Sequence, residues 1–504
     1  MKLLAYTSNL GNFKEEYMSV SVVSTTWSSQ NPAHRFTVYN PSTGKPYAEI
    51  QGCGAQEVDA CVCAANKAFN ETWRWLMPQE RGKLLKKAAR ALQEYAEEIA
   101  RIETEEVGKP LHISIADTRR CIEAFDFFGG LIGNLPTDLY ELGPINALVF
   151  AEPFGVVAGI IPFNWPPLHT GAKVAPALAA GNTVVIKPGD QAPLSIMKIV
   201  EIAKTVLPPN VLDIVAGPGL ETGQALTGHP LVRRVSFTGS DNSGRAVLKQ
   251  VADNLTPCIM ELGGKNVFIA LSDCNVDKAV SLAYEGAFYN NGEACTATSR
   301  ILVHRSQYKE FIDKMSEMVK RTYLGDGMDT KTHIGPMVTK QHMEKVLGYI
   351  KIGLQEGAVI AARGNLPTNP DFKDGYFVAP VLFAEVNRNM RIAREEIFGP
   401  VVCVIPYDND EEAVSIANDT SFGLIAVIFT EDQTRAMRIT RQLDTGCVYI
   451  NNFYRLGPQC VPFGGNKASG FGRERSYDTL LEFSRPKAVR IPSGLGEIPT
   501  WSPD

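Results

Sequence analysis

The chain has 504 residues, 44% hydrophobic and 21% charged, with 43 Gly and 31 Pro, a globular composition long enough for two or three domains. Fifty Lys and Arg against 55 Asp and Glu leave a formal charge of -5 with no run of like charges, which argues against a nucleic-acid partner. Ten cysteines lie scattered without CxxC spacing, so neither a disulfide framework nor a metal site is expected, and each thiol reads first as a small buried hydrophobe in a reducing cytosol.

In chain order, residues 1–20 carry too short an apolar run for a secretory signal and lack the Arg-rich pattern of a transit peptide. No stretch approaches the roughly 18 apolar residues that span a bilayer, so no membrane association is expected. From Gln79 to Val107, apolar residues at Leu84, Leu85, Ala88, Leu92, Tyr95, Ala96, Ile99 and Ile102 recur at helical spacing and stop at Gly108-Lys109-Pro110. One long amphipathic helix is predicted. From residue 155, the runs GVVAGIIP, TVVIKP, LDIVAG and RVSFTGS alternate with helical stretches, the pattern of βαβ units around a parallel sheet. After Glu261-Leu262-Gly263-Gly264-Lys265 the alternation restarts with NVFIAL, ILVHR, YFVAPVLF, VVCVIPY, GLIAVIF and GCVYIN. A second α/β domain is expected from about residue 263, and the closing IPSGLGEIPTWSPD reads as an extended arm.

Four segments could carry chemistry. Phe237-Thr238-Gly239-Ser240 ends a strand and opens a helix, so it is either a phosphate cradle or a plain turn; Arg245 and Ala246 exclude a Walker A loop. Lys187-Pro188-Gly189-Asp190 ends another strand and offers either ribose contacts or a solvated charge pair. Cys295 follows Asn291-Gly292-Glu293-Ala294 among small residues that leave a thiol accessible; at an ordinary thiol pKa of about 8.5 it would need activation to act as a nucleophile. Glu261, a lone carboxylate in an apolar stretch, suits general-base work if desolvated. No GxSxG or HExxH is present, so serine-hydrolase and zincin readings lack their signatures.

Taken together and in order, these segments resemble the NAD(P)-dependent aldehyde dehydrogenases. The resemblance extends through Pro162-Phe163-Asn164-Trp165-Pro166, Glu395-Glu396-Ile397-Phe398-Gly399-Pro400 and Pro462-Phe463-Gly464-Gly465-Asn466-Lys467, with 34 residues between Glu261 and Cys295. It implies an α/β protein with a Rossmann-like cofactor domain (1–135 and 153–262), an α/β catalytic domain (263–481) and a small β bridging, oligomerisation element (136–152 and 482–504). It implies oxidation of a small aldehyde to its acid, with Cys295 as nucleophile, Glu261 as base and Asn164 as oxyanion donor. It assigns Lys187 and Asp190 to the adenosine ribose, Ser240 to the pyrophosphate, and Glu396 and Phe398, with Phe163 nearby, to the nicotinamide end. A carboxylate at 190 favours NAD, with NADP possible. A homodimer or homotetramer is implied.

Three positions depart from the pattern: Glu293 in place of a common Gln, which adds a charge beside Cys295 if ionised; Phe163 in place of Trp, with Trp165 following; and Asp241-Asn242-Ser243 after Ser240. Two other functions remain open at this point: a catalytically idle binding homologue, and a Cys-dependent esterase or acyltransferase. Phe163, Trp165, Tyr289, Phe453 and Phe463 are candidates for an aromatic-lined tunnel or for ordinary core residues.

Overall fold

The computed structural model describes residues 22–134, 137–453, 457 and 459–498; the reading of residues 1–20 and the end of the C-terminal arm lie outside them. The runs of β-branched residues from 155 onward build a six-stranded sheet in the order Gly470–Phe471, Cys258–Glu261, Val232–Thr238, Val156–Ile161, Thr183–Pro188, Leu212–Ile214. Its strands are parallel except the short Gly470–Phe471, which runs antiparallel to Cys258–Glu261. Val157, Ile161, Val184, Ile186 and Leu212 enter the core on one face, against the helices Pro78–Glu94, Leu111–Leu131 and Pro166–Ala179. Val156, Ala158, Val185 and Val235 enter a second core on the other face, under Ala55–Glu71. Both faces are buried, which is why these strands read as continuous apolar runs rather than alternating ones.

The second alternation forms a seven-stranded sheet ordered Val359–Arg363, Val381–Ala384, Val401–Tyr407, Arg300–His304, Val267–Ala270, Ile425–Phe429, Cys447–Ile450. Only Val359–Arg363 is antiparallel. The expected strand YFVAPVLF shortens to Val381–Ala384. Asp138–Leu142, Ile145–Pro153 and Ser484–Pro492 make a three-stranded antiparallel ribbon that exposes Leu139, Tyr140, Leu142, Phe150 and Ile491.

The single helix expected over Gln79 to Val107 is two, Pro78–Glu94 and Ala96–Val107, joined at Tyr95 with φ -110° and ψ 13°. The break lets the second helix turn toward Leu194–Lys204, where Glu106 accepts from the Leu194 and Ser195 backbone N–H groups. Apolar periodicity stays in phase through Tyr95 and Ile99 and therefore does not register the bend. The helices Ala55–Glu71 and Leu111–Leu131 were not anticipated from the sequence.

Asn182 ties the start of the six-stranded sheet together. Its side-chain oxygen accepts from Phe154 and Gly155 N–H, and its amide donates to Ala177 and Phe483 carbonyls at 3.0 and 2.8 Å. Asn182→Ala leaves these buried groups unpaired and should destabilise the protein by about 3 kcal/mol. Chemical denaturation checks this, and a loss below about 1 kcal/mol would contradict it.

Candidate active site

Strand register aligns the ends of four parallel strands: Ile161 lies opposite Pro188, Ile160 opposite Phe237, and Thr238 opposite Glu261. The segments that follow them, Pro162 to Asn164, Gly189 to Asp190, Gly239 to Ser240 and Leu262 to Gly264, therefore share the carboxyl edge of the six-stranded sheet, where open α/β sheets bind ligands. Cys295 and the Glu396 to Phe398 turn precede the strands Arg300–His304 and Val401–Tyr407, so they come from the opposite, amino edge of the seven-stranded sheet. The two edges meet. A Cβ on Gly263 would strike the Glu396 carboxylate at 2.3 Å, and one on Gly264 would strike the Cys295 carbonyl oxygen at 2.8 Å. The Gly pair that marked a boundary in the sequence is thus required by close packing across the seam.

Cys295 follows three consecutive left-handed residues, Asn290, Asn291 and Gly292, with φ of 54°, 59° and 72°. Strain at Asn290 and Asn291 is held by side-chain hydrogen bonds: Asn290 Nδ2 donates to the Asn164 and Glu293 carbonyls, and Asn291 bridges Pro336 O and Gly335 N. Asn266 Nδ2 grips the loop from below through Cys295 O and Ala297 O, at 2.7 and 3.0 Å. Asn164 is buried, with its amide donating to Glu293 O at 3.2 Å. Its own carbonyl accepts 2.6 Å from the ammonium of Lys109, which also binds Glu103 and Asp117 and is fully buried.

Glu261 is 3% exposed, and neither carboxyl oxygen has a hydrogen-bond partner. Burial, seconded by the charge of Glu474, pushes its pKa well above the ordinary carboxylate range against the pull of Lys173, Arg473 and Arg475. Lys173 donates to Glu474 at 2.5 Å and to Ser236 Oγ. Gly464 packs over the carboxyl, where a Cβ would come within 2.7 Å of Oε1.

The remaining sequence-predicted residues form one track along the seam. Lys187 Nζ donates to Asp190 at 2.5 Å and to Pro188 O, and Asp190 accepts from Gly219 N–H at 2.9 Å, so the pair is locked together at a strand end. Exposed Ser240 is the N-cap of Asp241–Ala252: its Oγ accepts from Ser243 N–H and donates to Ser243 Oγ. Glu396 accepts from Gly264 N–H, and its pKa is raised to about 7 by burial. Phe163, Phe398 and His342 meet edge to face with ring centroids 5.9 to 6.0 Å apart, Phe398 sitting at φ 60°.

Burial decides the charge that Glu293 would add beside Cys295 if ionised. It is fully buried, accepts from Val338 N–H, and is raised to about 8 by desolvation, so at neutral pH it keeps its proton. His342 lies 3.6 Å from it but donates to Phe398 O and is lowered to about 4 by burial, so the contact joins two neutral groups rather than an ion pair. The cysteines also divide more finely than expected: none of the ten is in a disulfide, but Cys63 and Cys460 are exposed and Cys258, Cys295 and Cys447 half-buried. Of the aromatics, Trp165, Tyr289 and Phe463 line a pocket reaching Cys295, whereas Phe453 lies in the core and Phe163 with Phe398.

Sequence reasoning missed Lys109, Lys173, Glu474, His342 and Asn266. A lone Lys inside the apolar stretch PPLHTGAKVAPALA was the one available signal, for Lys173.

Comparison with known proteins places these features in context. The sequence profile of the aldehyde dehydrogenase family matches residues 27–489. The chain is 47% identical to the aldehyde dehydrogenase citD of Monascus ruber over 477 residues, 94% of each chain. It is 39% identical to a betaine aldehyde dehydrogenase of Mesorhizobium japonicum over 91% of this chain and 94% of that one. The crystal structure of a betaine aldehyde dehydrogenase from Staphylococcus aureus in complex with NAD+ superposes with a TM-score of 0.90 at 33% identity, covering 93% of this chain and 94% of the other.

The raised pKa of Glu293 makes stability depend on pH. The unfolded side chain ionises near its ordinary 4.5, while the folded one holds its proton to about 8, so stability falls as pH rises between those values and levels off above. Glu293→Gln removes this dependence. The variant should gain in Tm over the parent progressively from about pH 5 to about pH 8; parallel melting curves that stay a constant distance apart across that range would refute the assignment.

Proposed function

The chain belongs to the aldehyde dehydrogenase family, and from that premise we propose that it oxidises an aldehyde to the carboxylic acid through a covalent intermediate on Cys295. The observation that carries this reading is the presence along one seam of a half-buried thiol lining a pocket, a desolvated carboxyl and a buried amide donor. The Cys295 thiolate adds to the aldehyde carbon, and the oxygen that becomes anionic is stabilised by the Asn164 side-chain amide and the Cys295 backbone N–H. Lys109 holds the Asn164 backbone in place beneath its amide. NAD, when bound, supplies the acceptor for the hydride that leaves the carbon as the carbonyl reforms. Cys295 is then left as a thioester. Glu261 takes a proton from water, the hydroxide adds to the thioester carbon, and the thiolate leaves as the acid is released.

The cofactor fit rests on this chain's own groups. The Lys187 and Asp190 pair presents an ammonium and a carboxylate at a strand end for ribose hydroxyls, and the N-terminus of Asp241–Ala252 faces the same edge for phosphate. Ser240 contributes there through the helix end it caps. Glu396 and Phe398, packed on Phe163, bound the nicotinamide end. The carboxylate of Asp190, already anchored by Lys187 and Gly219, favours NAD over NADP. Division into a cofactor domain, a catalytic domain beginning near residue 263 and a bridging ribbon organises these parts. Ten cysteines without a disulfide fit a reducing, cytosolic compartment, and among the described residues no helix is long and apolar enough to cross a membrane.

Incubation with NAD and a panel of aldehydes, followed by NADH fluorescence, tests the reading. Cys295→Ala should lose at least about a thousandfold in kcat. Glu261→Gln should keep a burst of one NADH per subunit while its steady-state rate falls about a hundredfold, because only thioester hydrolysis needs the base. Absence of NADH with retained ester cleavage would point instead to the esterase reading, and absence of both to an idle homologue. The exposed ribbon of Leu139, Tyr140, Leu142 and Phe150 is proposed to pair subunits into a homodimer or homotetramer. Light scattering should give a multiple of 55.1 kDa, and a monomer at micromolar concentration would overturn the proposal.

A further inference from the structure

The pocket that reaches Cys295 is walled by Trp165, His169, Tyr289, Tyr449, Phe463 and Arg475. Tyr449, Phe463 and Arg475 also line an outer cleft beside Gly446 to Val448, so they form the neck between the surface and the thiol. The inner pocket is small, about 20 Å³, and opens into an outer cleft of about 430 Å³, so a flat aromatic body would lie across the neck with only its reacting end and the groups beside it inside. The walls are not purely apolar, however. Trp165 Nε1 and both ring nitrogens of His169 are buried, with residue exposures of 6% and 5%, and have no hydrogen-bond partner in the protein. The two rings are neighbours, with centroids 6.3 Å apart. Burial, together with the charges of Lys173, Arg475 and Lys109, holds the His169 pKa well below its usual range, so the imidazole is neutral and offers one N–H donor and one acceptor nitrogen. A buried donor pair and an acceptor left without protein partners are costly unless the occupant satisfies them.

The same aromatic walls could in principle cage a quaternary ammonium, the group betaine aldehyde carries. Two features argue against that occupant. The guanidinium of Arg475 already lies 4.8 Å over the Phe463 ring, occupying the face a second cation would need. Asp117, the carboxyl that lines the pocket, is engaged by Lys109 at 2.7 Å and so is not available to attract a cation.

We propose that this pocket selects aromatic aldehydes bearing a ring hydroxyl, which is received by His169 and Trp165, and that it rejects aldehydes carrying a quaternary ammonium group. The proposal rests on the reading of Cys295 as the group that receives the aldehyde. A hydroxyl can accept from the Trp165 indole N–H while exchanging a hydrogen bond with His169, and a site built this way discriminates strongly against the analogue lacking the oxygen.

The test compares kcat/KM at pH 6.5 for 2-, 3- and 4-hydroxybenzaldehyde, benzaldehyde, hexanal and betaine aldehyde with NAD. The best hydroxybenzaldehyde should exceed benzaldehyde at least about tenfold, and benzaldehyde should exceed betaine aldehyde about a hundredfold. His169→Met should bring the ratio of hydroxybenzaldehyde to benzaldehyde close to one, a within-variant ratio that misfolding does not mimic. Arg475→Met should raise betaine aldehyde relative to benzaldehyde. Equal use of benzaldehyde and all three hydroxybenzaldehydes, an unchanged ratio in His169→Met, or betaine aldehyde as the best substrate would each overturn the proposal. If no aldehyde in the panel yields NADH, the oxidation reading itself fails. The pocket is then judged by calorimetry on Cys295→Ala with 4-hydroxybenzyl alcohol against benzyl alcohol: tighter binding of the hydroxylated ring supports the selection, and equal binding refutes it.

Discussion

The ammonium of Lys109, sealed from solvent, is the constraint on which the site depends. Its three hydrogen bonds run to Glu103 on one helix, Asp117 on the next, and the carbonyl of Asn164 at the end of a sheet strand. A buried cation of this kind contributes little net stability, because desolvating it offsets most of the attraction. What it fixes is position. Once the cation is buried its partners cannot leave it, so the two helices, Ala96–Val107 and Leu111–Leu131, and the turn before Pro166–Ala179 are locked to one point. Asn164 also accepts from Asn290, at the start of the strained turn that presents Cys295, so the thiol and the amide donor share one anchor.

The local parts of this arrangement were legible in the sequence. Parallel strands announced themselves as apolar runs, and Lys187, Asp190, Ser240 and Glu261 all sit within a few residues of a strand end whose position those runs predict. Their order along the chain is what made the family resemblance specific. The long-range parts were not legible. Lys173 and Glu474 are separated by 301 residues in the chain, and nothing near either one indicates the other. Lys109 lay in a Gly-Lys-Pro stretch that reads adequately as a helix stop, and Tyr95 breaks a helix without disturbing its apolar phase. Glu293 is the instructive case: its identity was plain, but whether it carries a charge depends on burial, which only the packed structure decides.

Burial also explains why the seam tolerates so many acids. Glu261, Glu293 and Glu396 all have pKa values raised chiefly by desolvation, although each feels at least one cation that pulls the other way. Ionised together around a thiol, three carboxylates would oppose formation of the thiolate. Held near or above neutrality, they add little negative charge to the surroundings of Cys295.

In the proposed cycle this arrangement assigns a different state of Glu261 to each half of the reaction. While Cys295 is a thiolate, a proton on Glu261 avoids a second negative charge along the seam. Addition to the aldehyde and loss of hydride convert the thiolate into a neutral thioester, which removes that charge and makes ionisation of Glu261 less costly in the field of Lys173, Arg473 and Arg475. The carboxylate therefore becomes available as a base when there is an acyl group for water to attack. A carboxyl of ordinary acidity in this place would be ionised throughout and would work against the nucleophile it serves; one raised by burial lets the covalent chemistry itself set when the base is ready.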